Sequence, residues 1–254
     1  MSETKFPKEL LDKLVTAENI VFFTGAGISA ESGVPTFRGK DGIWNKLKPE
    51  ELANFNAFLR NTDMVWEWYQ YRRKIVRDAQ PNPGHLAIAE FQNYFPNVTV
   101  VTQNVDNLHK RAGSKKIYEL HGNIERNFCI DCKKWYNDVP IDDKNKGAIK
   151  CDCGGLIRPD VVWFGEYLPQ DEFKQSEWEA GRSDICFVVG TSAVVYPAAY
   201  IPFTALQAGS YLVEVNIEPT DFSSHAHHSY FGEAGKVLPE ILSEVKKIKS
   251  SKKQ

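Results

Sequence analysis

A long uncharged stretch most constrains how this chain folds. Residues 185–213, ICFVVGTSAVVYPAAYIPFTALQAGSYLV, carry no charged side chain. A segment of this kind either crosses a membrane, which takes roughly 20 apolar residues, or lies inside a folded core. Gly190, Pro197, Pro202 and Gly209 interrupt the stretch. It therefore predicts a buried strand, a glycine loop, a helix and the start of a second buried strand, with no contact with a membrane.

The composition fits a globular protein. Of the 254 residues, 42% are hydrophobic and 25% are charged, which is ordinary for a folded domain. The formal net charge of -2 argues against direct nucleic-acid binding, because proteins that track phosphates concentrate positive charge. Five cysteines and a start without an apolar run predict neither a disulfide framework nor a signal peptide. We expect a cytoplasmic protein, and a monomer.

Short apolar segments alternate with helical ones along the chain. Four of them, 20–23, 98–101, 185–189 and 212–215, are predicted as buried strands. This alternation predicts an α/β fold with a parallel, doubly wound sheet. Two insertions interrupt it: a helical, aromatic part over 35–95 and a cysteine-containing part over 126–158. The sheet domain then comprises the remaining segments, 1–34, 96–125 and 159–254.

A glycine turn follows the first predicted strand. Residues 24–30, TGAGISA, match the looser G-x-G-x-x-A form of the dinucleotide fingerprint. We expect Gly25 to allow the tight turn and Gly27 to let the backbone approach a pyrophosphate. A helix starting at Ser29 would direct N–H groups at the anion. A turn without a ligand stays an alternative, since no acidic residue closes a second strand about 20 residues later. A polar loop with Arg38 follows instead, which suits a covered ligand.

Four cysteines form two tight pairs near the middle of the chain. The C-x-x-C pair and the C-x-C pair lie at a spacing close to that of a zinc ribbon. Four thiolates give the closed tetrahedral shell of a structural zinc site. Unrelated thiols or a redox pair are the alternative. Because the second pair is one residue short, we expect Gly154 and Gly155 to give it backbone freedom. The predicted ligands are Cys129, Cys132, Cys151 and Cys153.

Two polar runs carry the candidate catalytic and ribose-binding groups. His121 directly precedes the cysteine module, and an imidazole with a pKa near neutrality suits a general base. For a lone histidine, a structural or surface role is the alternative. Residues 102–106, TQNVD, end a predicted strand. The carboxyl ends of parallel strands bind ligands, so these amide and carboxylate groups are expected to bind ribose or a carboxamide.

Taken together, these segments resemble a sirtuin, an NAD-dependent protein deacylase. The match keeps its order over about residues 10–245 and rests on 25–38, 102–106, 121–123, the four cysteines, 158–166, 190–192 and 216–218. The resemblance implies a Rossmann-type domain that binds NAD, beside a smaller part made of a zinc ribbon with one structural Zn²⁺ and a helical insertion. The partners would be acyl-lysine proteins or peptides. His121 would act as general base on the ribose hydroxyls.

The resemblance also assigns binding residues, position by position. For NAD it implies Gly25, Ala26, Gly27, Ser29, Ala30, Glu31, Pro35, Thr36, Phe37, Arg38, Trp44, Gln103, Asn104, Val105, Asp106, Gly190, Thr191, Ser192, Asn216, Ile217, Glu218 and Ala234. For the acyl-lysine substrate it implies Ala53, Tyr69, Arg72, Val162, Trp163, Phe164, Gly165 and Tyr196. The run 162–165 would pair its backbone with the peptide as an added strand.

One helix bears on the acyl group. Tyr69 and Arg72 are i, i+3 neighbours and resemble the Tyr-x-x-Arg pair of the sirtuin subgroup that removes succinyl, malonyl or glutaryl groups. A guanidinium and a phenol suit a distal carboxylate, and Ala53 matches the small residue that leaves room for it. An ordinary amphipathic helix with packed aromatics and solvated arginines is the alternative.

The sequence therefore predicts an NAD-dependent lysine deacylase that acts on succinyl-lysine and acetyl-lysine. Two alternatives stay open. One is a mono-ADP-ribosyltransferase or NAD glycohydrolase on the same scaffold. The other is a non-enzymatic module that binds NAD or partner proteins.

Overall fold

A six-stranded parallel sheet forms the centre of the protein. The computed structural model describes residues 6–37, 42–45, 48–137, 139 and 147–251. In these residues the sheet has the order β3–β2–β1–β7–β8–β9, with every neighbouring pair parallel. The order is that of a Rossmann fold, which confirms the predicted α/β class. The strands are β1 (Asn19–Thr24), β2 (Asn97–Thr102), β3 (Ile117–Glu119), β7 (Ile185–Val189), β8 (Tyr211–Asn216) and β9 (His228–Phe231).

Helices cover both faces of this sheet. On one face, α1 (Lys8–Thr16), α6 (Pro83–Phe91) and α10 (Ala234–Ser251) pack on the side chains of Phe22 and Phe187, whose rings stack 4.8 Å apart. On the other face lie α8 (Gln170–Gly181) and α9 (Tyr200–Gln207). Because the central strands are buried on both sides, they are apolar without alternation, as the sequence predicts.

The uncharged stretch folds as expected. It forms β7, a loop that begins at Gly190, α9 and the start of β8. In the part of the chain that the structure describes, no helix is both long enough and apolar enough to cross a membrane.

A smaller part lies beside the carboxyl ends of the central strands. It contains α3 (Pro49–Leu52), α4 (Phe55–Arg60) and α5 (Thr62–Asp78), and an antiparallel sheet ordered β5–β4–β6. Its strands are β4 (Gly122–Cys129), β5 (Trp135–Tyr136) and β6 (Ile157–Val161). Trp66 of α5 packs against Cys129 and Ile157, so the helices and the cysteine module share a core.

The predicted helical insertion, 35–95, includes α6, which instead belongs to the layer on the large sheet. The exact division of the chain into parts stays a prediction. Two further helices of one turn each, α2 (Gly27–Ala30) and α7 (Leu108–Arg111), follow β1 and β2.

Candidate active site

Two glycine loops meet where β1 and β7 end. The N–H of Gly25 donates to the carbonyl of Val189 at 3.0 Å, and that of Gly27 to the carbonyl of Gly190 at 2.8 Å. A Cβ added to Gly27 would stand 2.7 Å from Cα of Gly190, and one added to Gly25 2.6 Å from Cβ of Thr191. The loop at Gly190 therefore fills the space in which a side chain on Gly27 would lie, and the approach of the Gly27 backbone to a pyrophosphate stays a prediction.

The helix after this turn also differs from expectation. It begins at Gly27 rather than at Ser29 and ends at Ala30, one turn later. The N–H groups of Gly27, Ile28 and Ser29 already donate to the carbonyls of Gly190, Gly25 and Ala26. These three N–H groups thus have acceptors within the protein, and binding of an anion at the start of this helix stays a prediction.

A buried polar network joins the ends of β1 and β2. The Asn104 amide donates to the carbonyl of Gly25 at 3.0 Å and to Oγ of Ser29 at 3.1 Å. The Ser29 hydroxyl donates to Oδ2 of Asp106 at 2.6 Å, and the Leu108 N–H to Oδ1 at 3.0 Å. Burial raises the pKa of Asp106, against the effect of these hydrogen bonds and of the nearby Arg72. Ser29 is completely buried, so it stabilises the positions of Asn104 and Asp106 from inside the protein.

A pair of buried histidines, His85 and His109, lies beside this network, and no sequence pattern singles it out. The rings of His85 and His109 lie 4.9 Å apart. Nε2 of His109 lies 2.9 Å from the Thr24 hydroxyl, which donates to Oγ1 of Thr102. Burial lowers the pKa of His85 to about 4 and that of His109 well below its ordinary value. Both rings are therefore neutral near pH 7. Their part in this network is visible only from contacts between residues that are distant in sequence.

His121 lies between the end of β3 and the start of β4. Its Nδ1 is 3.0 Å from the carbonyl of Gln103. A carbonyl only accepts, so Nδ1 carries the proton and Nε2 carries the lone pair of the ring. The Gln103 amide donates to Oγ1 of Thr191 at 3.0 Å. His121 is partly buried, and its geometry is that of an oriented base.

Several residues predicted to bind NAD lie at the ends of β7 and β8. The Asn216 amide donates to the carbonyl of Thr191 at 3.2 Å, which joins the two strand ends. Ile217 is exposed, and so is Glu218. Ala234 begins α10 and is buried. Glu31 accepts the Gly235 N–H at 2.8 Å, so its carboxylate is committed to the start of α10.

The loop predicted to cover the ligand is described only in part. Pro35, Thr36 and Phe37 lie within the described residues, whereas Arg38 and the side chain of Trp44 lie outside them. The ring of Phe37 lies 4.6 Å from the guanidinium carbon of Arg72. The covering loop and α5 therefore meet at this arginine.

Tyr69 and Arg72 are both buried, at 3% and 5% exposure. The indole Nε1–H of Trp163 donates to the Tyr69 hydroxyl at 2.7 Å. Trp68 also faces the Arg72 guanidinium, 5.2 Å away. Within the described ranges, no side chain or carbonyl forms a hydrogen bond or an ion pair with Arg72. The alternative of solvated arginines on an ordinary surface helix is therefore wrong for Arg72.

The run predicted to pair with a peptide is already partly bonded within the protein. The N–H groups of Val162 and Phe164 donate to the carbonyls of His121 and Ala53 at 3.0 and 2.9 Å. That of Trp163 donates to Oε2 of Glu166 at 2.8 Å. A peptide strand added along this run would have to pair with backbone groups other than these three N–H groups, and the pairing itself stays a prediction. Gly165 stays exposed at the end of the run.

Two exposed aromatic side chains belong to the predicted peptide-binding set. Phe164 is 46% exposed, and Tyr196 is 57% exposed with its ring 4.8 Å from that of Tyr200. Ala53, by contrast, is buried at the end of α3 and offers its carbonyl to Phe164.

The four cysteines converge as predicted. Their Sγ atoms all lie within 4.8 Å of one another, and the Cys129–Cys153 and Cys132–Cys151 pairs are each 3.5 Å apart. Thiolates about 2.3 Å from a zinc ion stand about 3.8 Å apart in a tetrahedron, so these side chains fit that ion. Gly154 has a φ of 90°, and a Cβ on Gly155 would lie 2.7 Å from the Cys129 Sγ. The two glycines thus permit the short pair.

We expect about one zinc ion per chain in purified protein. Cys132→Ser removes one of four ligands and should lower the zinc-to-protein ratio severalfold, as measured by elemental analysis. Cys186→Ala is the matched control, because Cys186 is buried in β7 away from the cluster. A ratio near zero in folded wild-type protein would contradict the assignment.

Comparisons with known proteins agree with this geometry. The family model described as Sir2 family matches residues 25–197. The chain is 51% identical over 237 residues to NAD-dependent protein deacylase 2 of Pyrobaculum aerophilum, covering 93% of this chain and 94% of that protein. A mutant Sir2 homologue in complex with ADP-ribose is similar with a TM-score of 0.91 and 43% identity, over 96% of this chain and 98% of the other. A Sir2–p53 peptide–NAD⁺ structure matches with a TM-score of 0.83 and 34% identity, over 93% and 97%.

Proposed function

The chain belongs to the Sir2 family, and from that premise we propose that it is an NAD-dependent protein-lysine deacylase. It transfers the acyl group of an acyl-lysine to ADP-ribose, releasing nicotinamide and free lysine. Relatives named as NAD-dependent protein deacylases support this activity. Similar structures with ADP-ribose, and with a peptide and NAD⁺, support the choice of the two substrates.

NAD binds across the carboxyl ends of the parallel strands. In a Rossmann-type sheet this edge is where nucleotides bind. The loop at Gly190 and the residues after β8 hold the adenosine half. Gln103, Asn104 and Asp106 orient the nicotinamide ribose, and the last two belong to the buried network that includes Ser29.

His121 is the general base of the proposed reaction. The acyl oxygen bonds to C1′ of the ribose, and the bond to nicotinamide breaks. Nε2 of His121 then accepts a proton from a ribose hydroxyl, which attacks the acyl carbon. The Gln103 carbonyl supports this role, because its contact with Nδ1 leaves Nε2 as the acceptor. Water completes release of the lysine.

The acyl group carries a carboxylate in the preferred substrates. The observation that carries this proposal is Arg72, a buried guanidinium without a hydrogen-bonding or ionic partner among the described residues. An unpaired buried charge is costly, and a succinyl carboxylate would pair with it. Tyr69, one helical turn away, offers a second donor. We propose succinyl-lysine as the preferred substrate, with malonyl-, glutaryl- and acetyl-lysine also accepted.

Matched peptides test this preference. A peptide carrying one lysine is prepared as the succinyl, malonyl and acetyl form, and turnover is followed with and without NAD. We expect turnover only with NAD, and kcat/KM about tenfold or more higher for succinyl than for acetyl, since a charged hydrogen bond contributes about 1.5–3 kcal/mol. A preference for acetyl would refute the carboxylate contact. Turnover without NAD would refute the activity itself.

A further inference from the structure

We propose that Trp163 determines acyl specificity by positioning the Tyr69 hydroxyl, so that its proton is directed to the carboxylate of the acyl group. This inference rests on the proposed carboxyacyl activity and adds a residue to it. Trp163 acts through Tyr69 and is therefore a positioning residue for the acyl carboxylate.

The first step is the direction of one hydrogen bond. An indole nitrogen can only donate, whereas a phenol both donates and accepts. In the 2.7 Å contact between Trp163 Nε1 and the Tyr69 oxygen, Tyr69 is therefore the acceptor. Its own proton is left to donate elsewhere. None of the described residues accepts a hydrogen bond from it.

The second step is the burial of both donors. Tyr69 and Arg72 lie one helical turn apart on α5, and both are nearly inaccessible to water. Burial raises the pKa of Tyr69 to about 12, so at neutral pH the phenol keeps the proton that it donates. A phenol O–H and a guanidinium that have no acceptor among the described residues call for a ligand with two acceptor oxygens, which a carboxylate supplies.

The third step is the rigidity of the indole. Trp163 is 1% exposed, and the Arg158 guanidinium lies 3.4 Å from its ring centroid. Glu166 forms an ion pair with Arg158 and also accepts a hydrogen bond from the backbone N–H of Trp163 at 2.8 Å. The ring of Phe58 also packs against the indole, with the two ring centroids 5.2 Å apart. These contacts hold the indole N–H in one orientation. Because this N–H occupies one side of the Tyr69 oxygen, the hydroxyl proton of Tyr69 points to the other side.

This arrangement separates the acyl groups by chemistry. An acetyl group has no oxygen beyond its carbonyl, so it offers no acceptor to the Tyr69 hydroxyl. A succinyl group gains a hydrogen bond whose geometry depends on Trp163. Loss of the indole N–H should therefore raise KM more for a succinyl peptide than for an acetyl peptide.

A double-mutant cycle tests the inference on full-length enzyme. Trp163→Phe, Tyr69→Phe and the double variant are compared by kcat/KM on matched succinyl and acetyl peptides, with Trp178→Phe, an exposed indole, as control. We expect each single change to lower the succinyl-to-acetyl ratio about three- to tenfold. The double variant should fall no further than Tyr69→Phe alone, and Trp178→Phe should match wild type.

Three results would overturn the positioning role: an unchanged ratio in Trp163→Phe, equal losses on both peptides, or losses that multiply in the double variant. If Trp163→Phe does not fold, Tyr69→Phe removes the same bond from the other side, and an unchanged ratio there overturns the inference. The proposed function fails separately if the wild-type enzyme shows no preference for the succinyl peptide. It also fails if Arg72→Met leaves such a preference unchanged.

Discussion

Replacing His121 by alanine is expected to lower kcat for deacylation about 10³-fold while NAD still binds. General bases contribute about 10²–10⁴-fold, and the ring in question is held by the Gln103 carbonyl with Nε2 as acceptor. The loss should fall on kcat, because the groups proposed to hold NAD are not altered. Steady-state turnover measures the first effect, and calorimetric titration with NAD measures the second.

His225→Ala is the matched control for this substitution. His225 is exposed at the end of a short 3-10 helix that precedes β9. β9 is the edge strand opposite β3 in the sheet. It should keep wild-type turnover. Wild-type turnover in His121→Ala would remove this histidine from the proposed chemistry, and loss of NAD binding would assign it to the cofactor instead.

Arg72→Met should lower kcat/KM for a succinyl peptide about 100-fold and leave acetyl turnover within about threefold. Removing one partner of a buried charge pair costs about 2–5 kcal/mol. Methionine keeps an apolar stem of similar length and removes the guanidinium that faces Phe37 and Trp68. Parallel assays of the two peptides at saturating NAD measure the change.

Arg77→Met provides the control on the same helix. Arg77 is exposed and pairs with Glu125 at 3.0 Å, so its loss should change neither activity. Equal losses on both peptides in Arg72→Met would mean that the arginine supports the fold or the covering loop, and would contradict a carboxylate contact.

The central strands were predictable because burial on both faces leaves a plain apolar signal. The predicted strand 185–189 matches β7, and 20–23 and 98–101 lie within β1 and β2. The edge strands β3 and β9 escaped prediction. They are short and contain no buried residue, so their pairing depends on a neighbour far along the chain rather than on local pattern.

The roles of backbone groups were least predictable. Gly27 is recognisable as a glycine of a strand–helix turn, but only the fold shows that Gly190 fills the space beside it. The N–H groups over 162–164 look available in an extended run, yet Glu166, His121 and Ala53 accept them. Such partners lie far away in sequence, so a local pattern cannot supply them.

The four cysteines and the Tyr69–Arg72 pair stand between these cases. Their spacing predicts convergence, which the structure brings about. Burial of Arg72 without a hydrogen-bonding or ionic partner among the described residues does not follow from spacing, because it depends on how α5 packs against Phe37 and the run containing Trp163. That burial is the reason why we propose that the arginine binds the carboxylate of the acyl group.

The product balance of the wild-type enzyme tests the central claim most directly. NAD labelled in its adenosine half is incubated with a succinyl-lysine peptide, and the products are separated and quantified. We predict equal amounts of nicotinamide, free-lysine peptide and O-succinyl-ADP-ribose, with no label on protein. Nicotinamide released together with ADP-ribosylated protein, or without any acyl-ADP-ribose, would contradict deacylation.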